Sequence, residues 1–331
     1  MRSCIPRRAL SSWRGAPARR HPRPSSRPMN RRRETQGLLF GFVGMLGFSL
    51  TVPMLRMAVH DFDPVVVGLG RILISLSMAV PLLAWRRGPF PQRRHWPGIL
   101  VIALGPMIAY PLIVATALRQ VPAAHGAVVV GLLPLATAIG AVLRGRERPS
   151  GAFWLAALAG SAAVVGFALV EGHWRLHAVD GWLLLAVALC GWGYAEGGHL
   201  SRELGVVSVL CWGLVVAGVL VAIPVARAVA VHGLHGSTRA WVAFAYTGVV
   251  SMFLAFLAWY HGLALGGVAR VGQLQLLQPF VSLGWAAWLL GEHLSGLMLV
   301  TVLIVGATVA LGRRATVRHS LDEEAVDSAG S

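Results

Sequence analysis

Lysine is absent from this 331-residue chain; all 29 basic side chains are arginines, against only 13 aspartates and glutamates. That absence reads as codon usage, and no function is drawn from it. Cysteine is also scarce. Cys4, Cys190 and Cys211 have neither disulfide nor metal-ligand spacing, and the last two lie in apolar runs as small hydrophobes. No Walker sequence occurs, which argues against ATP-driven pumping. A His-Glu-x-x-His or paired-aspartate constellation is missing too, which argues against an intramembrane enzyme. Polar connections between apolar runs are short and leave no room for a soluble catalytic domain.

The net charge of +16 invites a nucleic-acid reading, which fails on distribution. Residues 1–34 hold eleven arginines and one glutamate, so most of the excess sits in one arm. Residues 1–35 are rich in Arg, Pro and Ser and have no apolar run, the composition of a disordered segment. Met29 is one candidate start, leaving residues 1–28 untranslated; a basic cytoplasmic arm and an Arg-rich transit peptide are the others.

What is abundant is apolar surface. With 56% hydrophobic and 13% charged residues and a mean hydropathy of +0.67, the chain reads as an all-α polytopic membrane protein. Ten runs approach the ~20 residues needed to cross ~30 Å of hydrocarbon. They cover about 36–57, 64–85, 96–118, 122–143, 150–170, 181–201, 205–229, 239–261, 268–290 and 293–312. Arginine sets the orientation. Arg86, Arg87, Arg93, Arg94, Arg144, Arg146, Arg148, Arg202, Arg313, Arg314 and Arg318 fall on the N-terminal side of the membrane, so both termini are expected in the cytoplasm. Trp85, Trp96, Trp154, Trp182 and Trp241 stand at run ends, as an interfacial belt would.

The stretch 262–311 has an echo 145 residues upstream. Pro279, Glu292, Ser295 and Gly296 fall on Pro134, Glu147, Ser150 and Gly151, a frame kept without a gap. Five spans is an odd number, so two such repeats enter the membrane in opposite senses, a transporter architecture. The expected divisions are a 1–35 arm, repeats at 36–170 and 181–312, and a 313–331 cytoplasmic tail.

The two Pro-to-Glu frames, the run Gly262-Leu263-Ala264-Leu265-Gly266-Gly267-Val268-Ala269-Arg270-Val271-Gly272-Gln273 and the segment Gly191-Trp192-Gly193-Tyr194 resemble the EamA-type members of the drug/metabolite transporter superfamily. The resemblance covers about 36–312. It implies ten helices in two inverted repeats, a central cavity and alternating-access transport, usually export, of small metabolites or amino-acid-like solutes. A bacterial inner-membrane location goes with it.

Several side chains are candidates for the transport site. Glu196, deep in the sixth run beside Tyr194 and His199, is either a coupling or substrate carboxylate, with proton exchange in view, or half of a helix-packing ion pair. Arg71, mid-run two, either binds an anionic group or serves as the partner of Glu196. Arg56 either gates or snorkels to headgroups. Gln275 and Gln278 lie about 60° apart on an ideal helix while Gln273 points elsewhere, so one group should face a cavity and the other bond between helices. Tyr110, Trp259 and Tyr260 are candidate aromatic walls, and Pro134 and Pro279 should kink helices around the cavity. His125 and His261 carry no distinguishing signal. Glu147 and Glu292 are expected to open the fifth and tenth helices at their positive ends. Glu171, His173, His177, His232 and His235 lack a dedicated metal spacing, so no metal and no cofactor are expected. The expected partners are a small-molecule substrate and the lipid bilayer, not nucleic acid; a homodimer is left open. A non-transporting scaffold is the competing function.

Overall fold

A computed structural model describes residues 31–86, 90–117, 123–144, 147–171, 178–290, 296–314 and 317–319. The helices α1 (Arg31–Ser49) and α2 (Thr51–Asp61) form one rod broken at Leu50. The break has a covalent cause. Pro53 has no N–H to give the Ser49 carbonyl one turn back. That carbonyl instead accepts the Ser282 hydroxyl at 2.6 Å, so a side chain of the ninth stretch satisfies what the proline frees.

Next come α3 (Pro64–Arg86), then α4 (Trp96–Ile102), a π segment at Ala103–Ala109 and α5 (Tyr110–Ala117) in line. The helices α6 (Ala123–Leu143), α7 (Gly151–Glu171), α8 (Ala178–Leu204) and α9 (Val206–His232) follow. The eighth stretch is α10 (Thr238–Tyr246), a second π segment at Thr247–Ala255 and α11 (Phe256–Gly266). The ninth is α12 (Val268–Gly272), a 3-10 turn at Gln273–Leu277 and α13 (Gln278–Leu290); α14 (Gly296–Arg314) is the last described helix. Each of the ten expected runs therefore coincides with a helical stretch. Five of them, Arg32–Asp61, Pro64–Arg86, Arg93–Thr116, Val206–His232 and Thr238–Gly266, are long and apolar enough to cross a membrane, and shorter apolar helices accompany them.

The two π segments occupy equivalent places. Residues 103–109 shifted by 145 fall within 247–255. Pro106 explains the first widening, because its ring and missing N–H disturb the α ladder. The second has no proline; there the buried Ser75 hydroxyl donates to the Gly248 carbonyl at 2.8 Å.

Packing pairs α1 with α11, α3 with α9, α6 with α7 and α8, α7 with α14, and α2 with α10. The α1–α11 seam is made of glycine. A Cβ at Gly262 would lie 2.6 Å from the Gly41 nitrogen, and one at Gly44 would lie 2.8 Å from the Trp259 nitrogen. Only backbone-to-backbone contact fits, the close approach that small residues allow between membrane helices. The outer surface is the reverse of a soluble one. Leu155, Val219, Ile223 and Leu303 are more than two-thirds exposed, as side chains facing lipid are.

The short strands β1 (Glu147–Pro149) and β2 (Val317–His319) pair antiparallel, with Arg148 opposite Arg318. The connection before α7 and the segment after α14 thus lie at the same end of the bundle. The connection 291–295 between α13 and α14 lies outside the described residues.

Candidate functional site

A narrow cavity lies among α1, α2, α3, α5, α6, α8, α11, α13 and both π segments. Its walls obey the internal repeat. Pro106 and Ser251, Pro111 and Phe256, and Leu133 and Gln278 are three pairs 145 positions apart, and all six residues line it. The same positions of both halves therefore meet around one space. The distortions converge here as well: Pro106 and Ser251 stand inside the π segments, and Gln278 begins the helix after the 3-10 turn.

The lining is mostly apolar, from Phe48, Leu55, Val114, Leu133 and Phe256, with a few polar groups set into it. Thr51 and Ser251 share a hydrogen bond of 2.7 Å. Arg71 enters from α3, only 4% exposed, and its Nε and Nη1 have no hydrogen-bond partner among the described residues. Tyr110, Tyr194 and the buried thiol of Cys190 surround its charge. The Oε1 of Gln278 is likewise buried and unpartnered among the described residues. Arg71 is the only charged side chain among the described lining residues.

Below the cavity, an aromatic cluster fills the bundle. Phe48 meets Tyr194, Phe256 and Trp259 at centroid distances of 6.5, 5.0 and 6.1 Å, and Phe256 meets Tyr260 at 5.5 Å. Trp259 and Tyr260, expected as cavity walls, are fully buried in this cluster and do not line the cavity.

Beyond the aromatics, towards the β1–β2 end, lies a layer of ion pairs. Glu147 is 2% exposed, and its two oxygens accept the backbone N–H groups of Val268 and Ala269 at 2.8 Å each. It was expected at the start of the fifth helix. Its carboxylate in fact caps α12, a helix of the other repeat, because the Gly267 turn at φ +87° aims those two N–H groups at it. Arg202 completes the junction: Nε reaches the Ala264 carbonyl at 3.0 Å, and Nη2 reaches the Leu263 carbonyl and Glu147 Oε1 at 3.3 Å each. A cation thus sits on the carbonyl end of α11 and an anion on the N–H end of α12, each on the helix terminus its sign suits.

Glu196 belongs to the same layer. Its Oε1 pairs with Arg144 Nε at 2.7 Å, and its Oε2 lies buried below Gly98. Its partner is therefore Arg144 and not Arg71, and it does not line the cavity. Arg270 pairs with Glu34 at 3.0 Å, and Glu203 lies between His95 and His199 at 3.5 and 3.3 Å.

Of the other candidates, Tyr110, Tyr194, Arg71 and Gln278 are walls of the cavity. Gln275 is fully buried without lining it, and Gln273 packs against Gly312 of α14. The 3-10 turn removes the 100° spacing on which the grouping of the three glutamines rested. Arg56 is exposed on α2. Pro134 is buried within a continuous α6, while Pro279 follows the 3-10 turn. His261 meets Phe40 edge to face, with ring centroids 4.5 Å apart. The side chains of His125, Glu171, His173, His177 and Glu292 lie outside the described residues, and among the described residues no group of three ligands could hold a metal. Sequence reasoning missed Phe48, Thr51, Val114, Leu133, Ser251 and Phe256. Carrying the 145-residue shift from Pro279 to its neighbour Gln278, and on to Pro106 and Pro111, was the signal that could have found half of them.

Known proteins agree with this picture. The EamA-like transporter family matches twice, at residues 35–169 and 178–312. An uncharacterized transporter of Bacillus subtilis (strain 168), YdeK, is 42% identical over 281 residues, covering 85% of this chain and 98% of its own. A solved crystal structure superimposes with a TM-score of 0.67 at 20% identity, over 85% of this chain and 99% of that one, a likeness of fold. Two family matches filling the two halves, with the paired cavity positions between them, place this multi-pass membrane protein in the EamA-like transporter family.

Proposed function

We propose that the chain is a secondary transporter that moves a small organic solute through the cavity by alternating access. Ten membrane crossings in two inverted five-helix halves carry it, with both termini in the cytoplasm of a bacterium and the protein in its inner membrane. The observation that supports this best is the composition of the cavity wall. Three pairs of repeat-equivalent residues meet there, so exchanging the conformations of the two halves would turn the same walls towards the opposite side.

On this reading the β1–β2 end is the closed one. The aromatic cluster and the Glu147–Arg202 and Glu196–Arg144 pairs stand between the cavity and that end. With the arginine-rich segments inside, that end is cytoplasmic, and export is the direction the family likeness favours. Proton coupling through Glu196 would act at its pair with Arg144, by loosening the inner layer rather than by touching solute.

Metabolite profiling of inside-out vesicles tests the reading. Vesicles bearing the native chain should accumulate at least one solute that vesicles bearing Val114→Trp, a cavity-filling variant, do not. Identical profiles at equal protein levels would favour the scaffold alternative.

A further inference from the structure

We infer that the transported solute is an organic monocarboxylate with an apolar body and no balancing ammonium group, held by the Arg71 guanidinium. This rests on the carrier reading above and narrows its substrate.

The inference starts from an unpaid electrostatic cost. An arginine inside a membrane bundle normally pairs with a carboxylate or with backbone carbonyls, because a desolvated cation without partners is costly. Arg71 is 4% exposed, yet two of its nitrogens are unpartnered among the described residues, and no acidic residue is among those lining the cavity. Glu196, the partner that the sequence offered for Arg71, is engaged by Arg144. Tyr110 and Tyr194 lie near the charge but cannot neutralise it. No described acidic side chain supplies the missing partner, and on this proposal the solute does.

Guanidinium chemistry then selects the partner. Its planar fork of N–H donors matches the two oxygens of a carboxylate in a bidentate pair. One cation and no anion in the wall favour one net negative charge. A zwitterion would bring an ammonium group for which the described lining offers neutral hydroxyl and amide oxygens and no carboxylate. Phe48, Val114 and Phe256 supply the surface for an apolar body.

A matched series isolates the charge: 3-phenylpropionate as the anion, 3-phenylpropionamide as the neutral form, phenylalanine as the zwitterion and phenethylamine as the cation. Thermal unfolding of the full-length detergent-solubilised protein is recorded against each, and the four are then tried for counterflow in proteoliposomes. The expected result is stabilisation by 3-phenylpropionate well beyond the other three. Arg71→Gln should weaken that binding about 10- to 100-fold, the loss of a charge-assisted hydrogen bond. Arg71→Lys, which keeps the charge but not the fork, should fall between. Because the cation is unpaired in the empty protein, Arg71→Gln should leave the unliganded melting temperature unchanged or higher. A structural arginine behaves in the opposite way, and a lower melting temperature or an unfolded Arg71→Gln protein would overturn the inference. So would absence of a response to 3-phenylpropionate, an equal response to the amide or the amine, or an unaltered affinity in Arg71→Gln. Binding of the anion without counterflow would count against the carrier reading alone, whereas counterflow of the amine or the zwitterion in preference to the anion would count against the anion site alone.

Discussion

Glu147→Ala is the substitution whose consequence can be worked most fully from the geometry. The carboxylate is 2% exposed and accepts two backbone N–H groups at 2.8 Å, at the mouth of a turn that only glycine makes without strain. Removing a helix cap costs about 1 kcal/mol, and each buried donor left without an acceptor about 1–3 kcal/mol. The Arg202 side chain is 28% exposed and keeps its two carbonyls, so its lost pair adds at most about 1 kcal/mol. These terms sum to about 3–8 kcal/mol, a range that includes the ~3–5 kcal/mol of breaking a buried ion pair. If the contact exists only while the inner end is shut, this converts to a shift of roughly 100-fold or more towards the open form. Hydrogen–deuterium exchange reads it directly, because the Val268 and Ala269 amides are the donors. Exchange over 267–272 should rise by about that factor in Glu147→Ala, while α9 stays protected. The reversed pair Glu147→Arg with Arg202→Glu should not rescue it, since each charge would then face the helix end of its own sign. Unchanged exchange over 267–272, or full rescue by the reversed pair, would refute the reasoning.

Two other outcomes follow from neighbouring contacts. Gly262→Leu should prevent α1 from seating on α11 and abolish monodisperse protein on size exclusion, because even its Cβ would collide with the Gly41 nitrogen; Gly284→Leu, at a position with nothing within 4 Å of an added Cβ, should behave as the native chain does. Glu196→Gln should lower the melting temperature only slightly, since its partner Arg144 is 45% exposed and such pairs contribute about 1 kcal/mol or less, and should leave solute affinity intact because the side chain is not in the cavity wall. A large loss of affinity in Glu196→Gln would return that carboxylate to the binding site.

Much of the architecture was legible in the sequence, and the reason is physical. Apolar runs of span length have few alternatives in lipid, so the run at 64–85 and the helix Pro64–Arg86 nearly coincide. The 145-residue echo was carried by Pro134 and Pro279, and it pointed to helices that do border the cavity. What the sequence hid was nonlocal. Glu147 caps a helix that starts 121 residues later, and no local pattern announces that. Glu196 and Arg144 are far apart in the chain, and hydropathy alone offered Arg71 as the partner. The second π segment has no proline to mark it. The break at Leu50 was marked by Pro53, but Ser282, which takes up the freed carbonyl, lies 233 residues from it.

The central claim is that one cavity faces the two sides of the membrane in turn. Thr51→Cys, with Cys4, Cys190 and Cys211 replaced by alanine, puts a single thiol on the cavity wall. A membrane-impermeant maleimide is applied to one face at a time in oriented vesicles. The account predicts labelling from either face, with Glu147→Ala raising the rate from the Arg318 side and lowering it from the other. Labelling from one face alone, at a rate indifferent to Glu147→Ala, would contradict it.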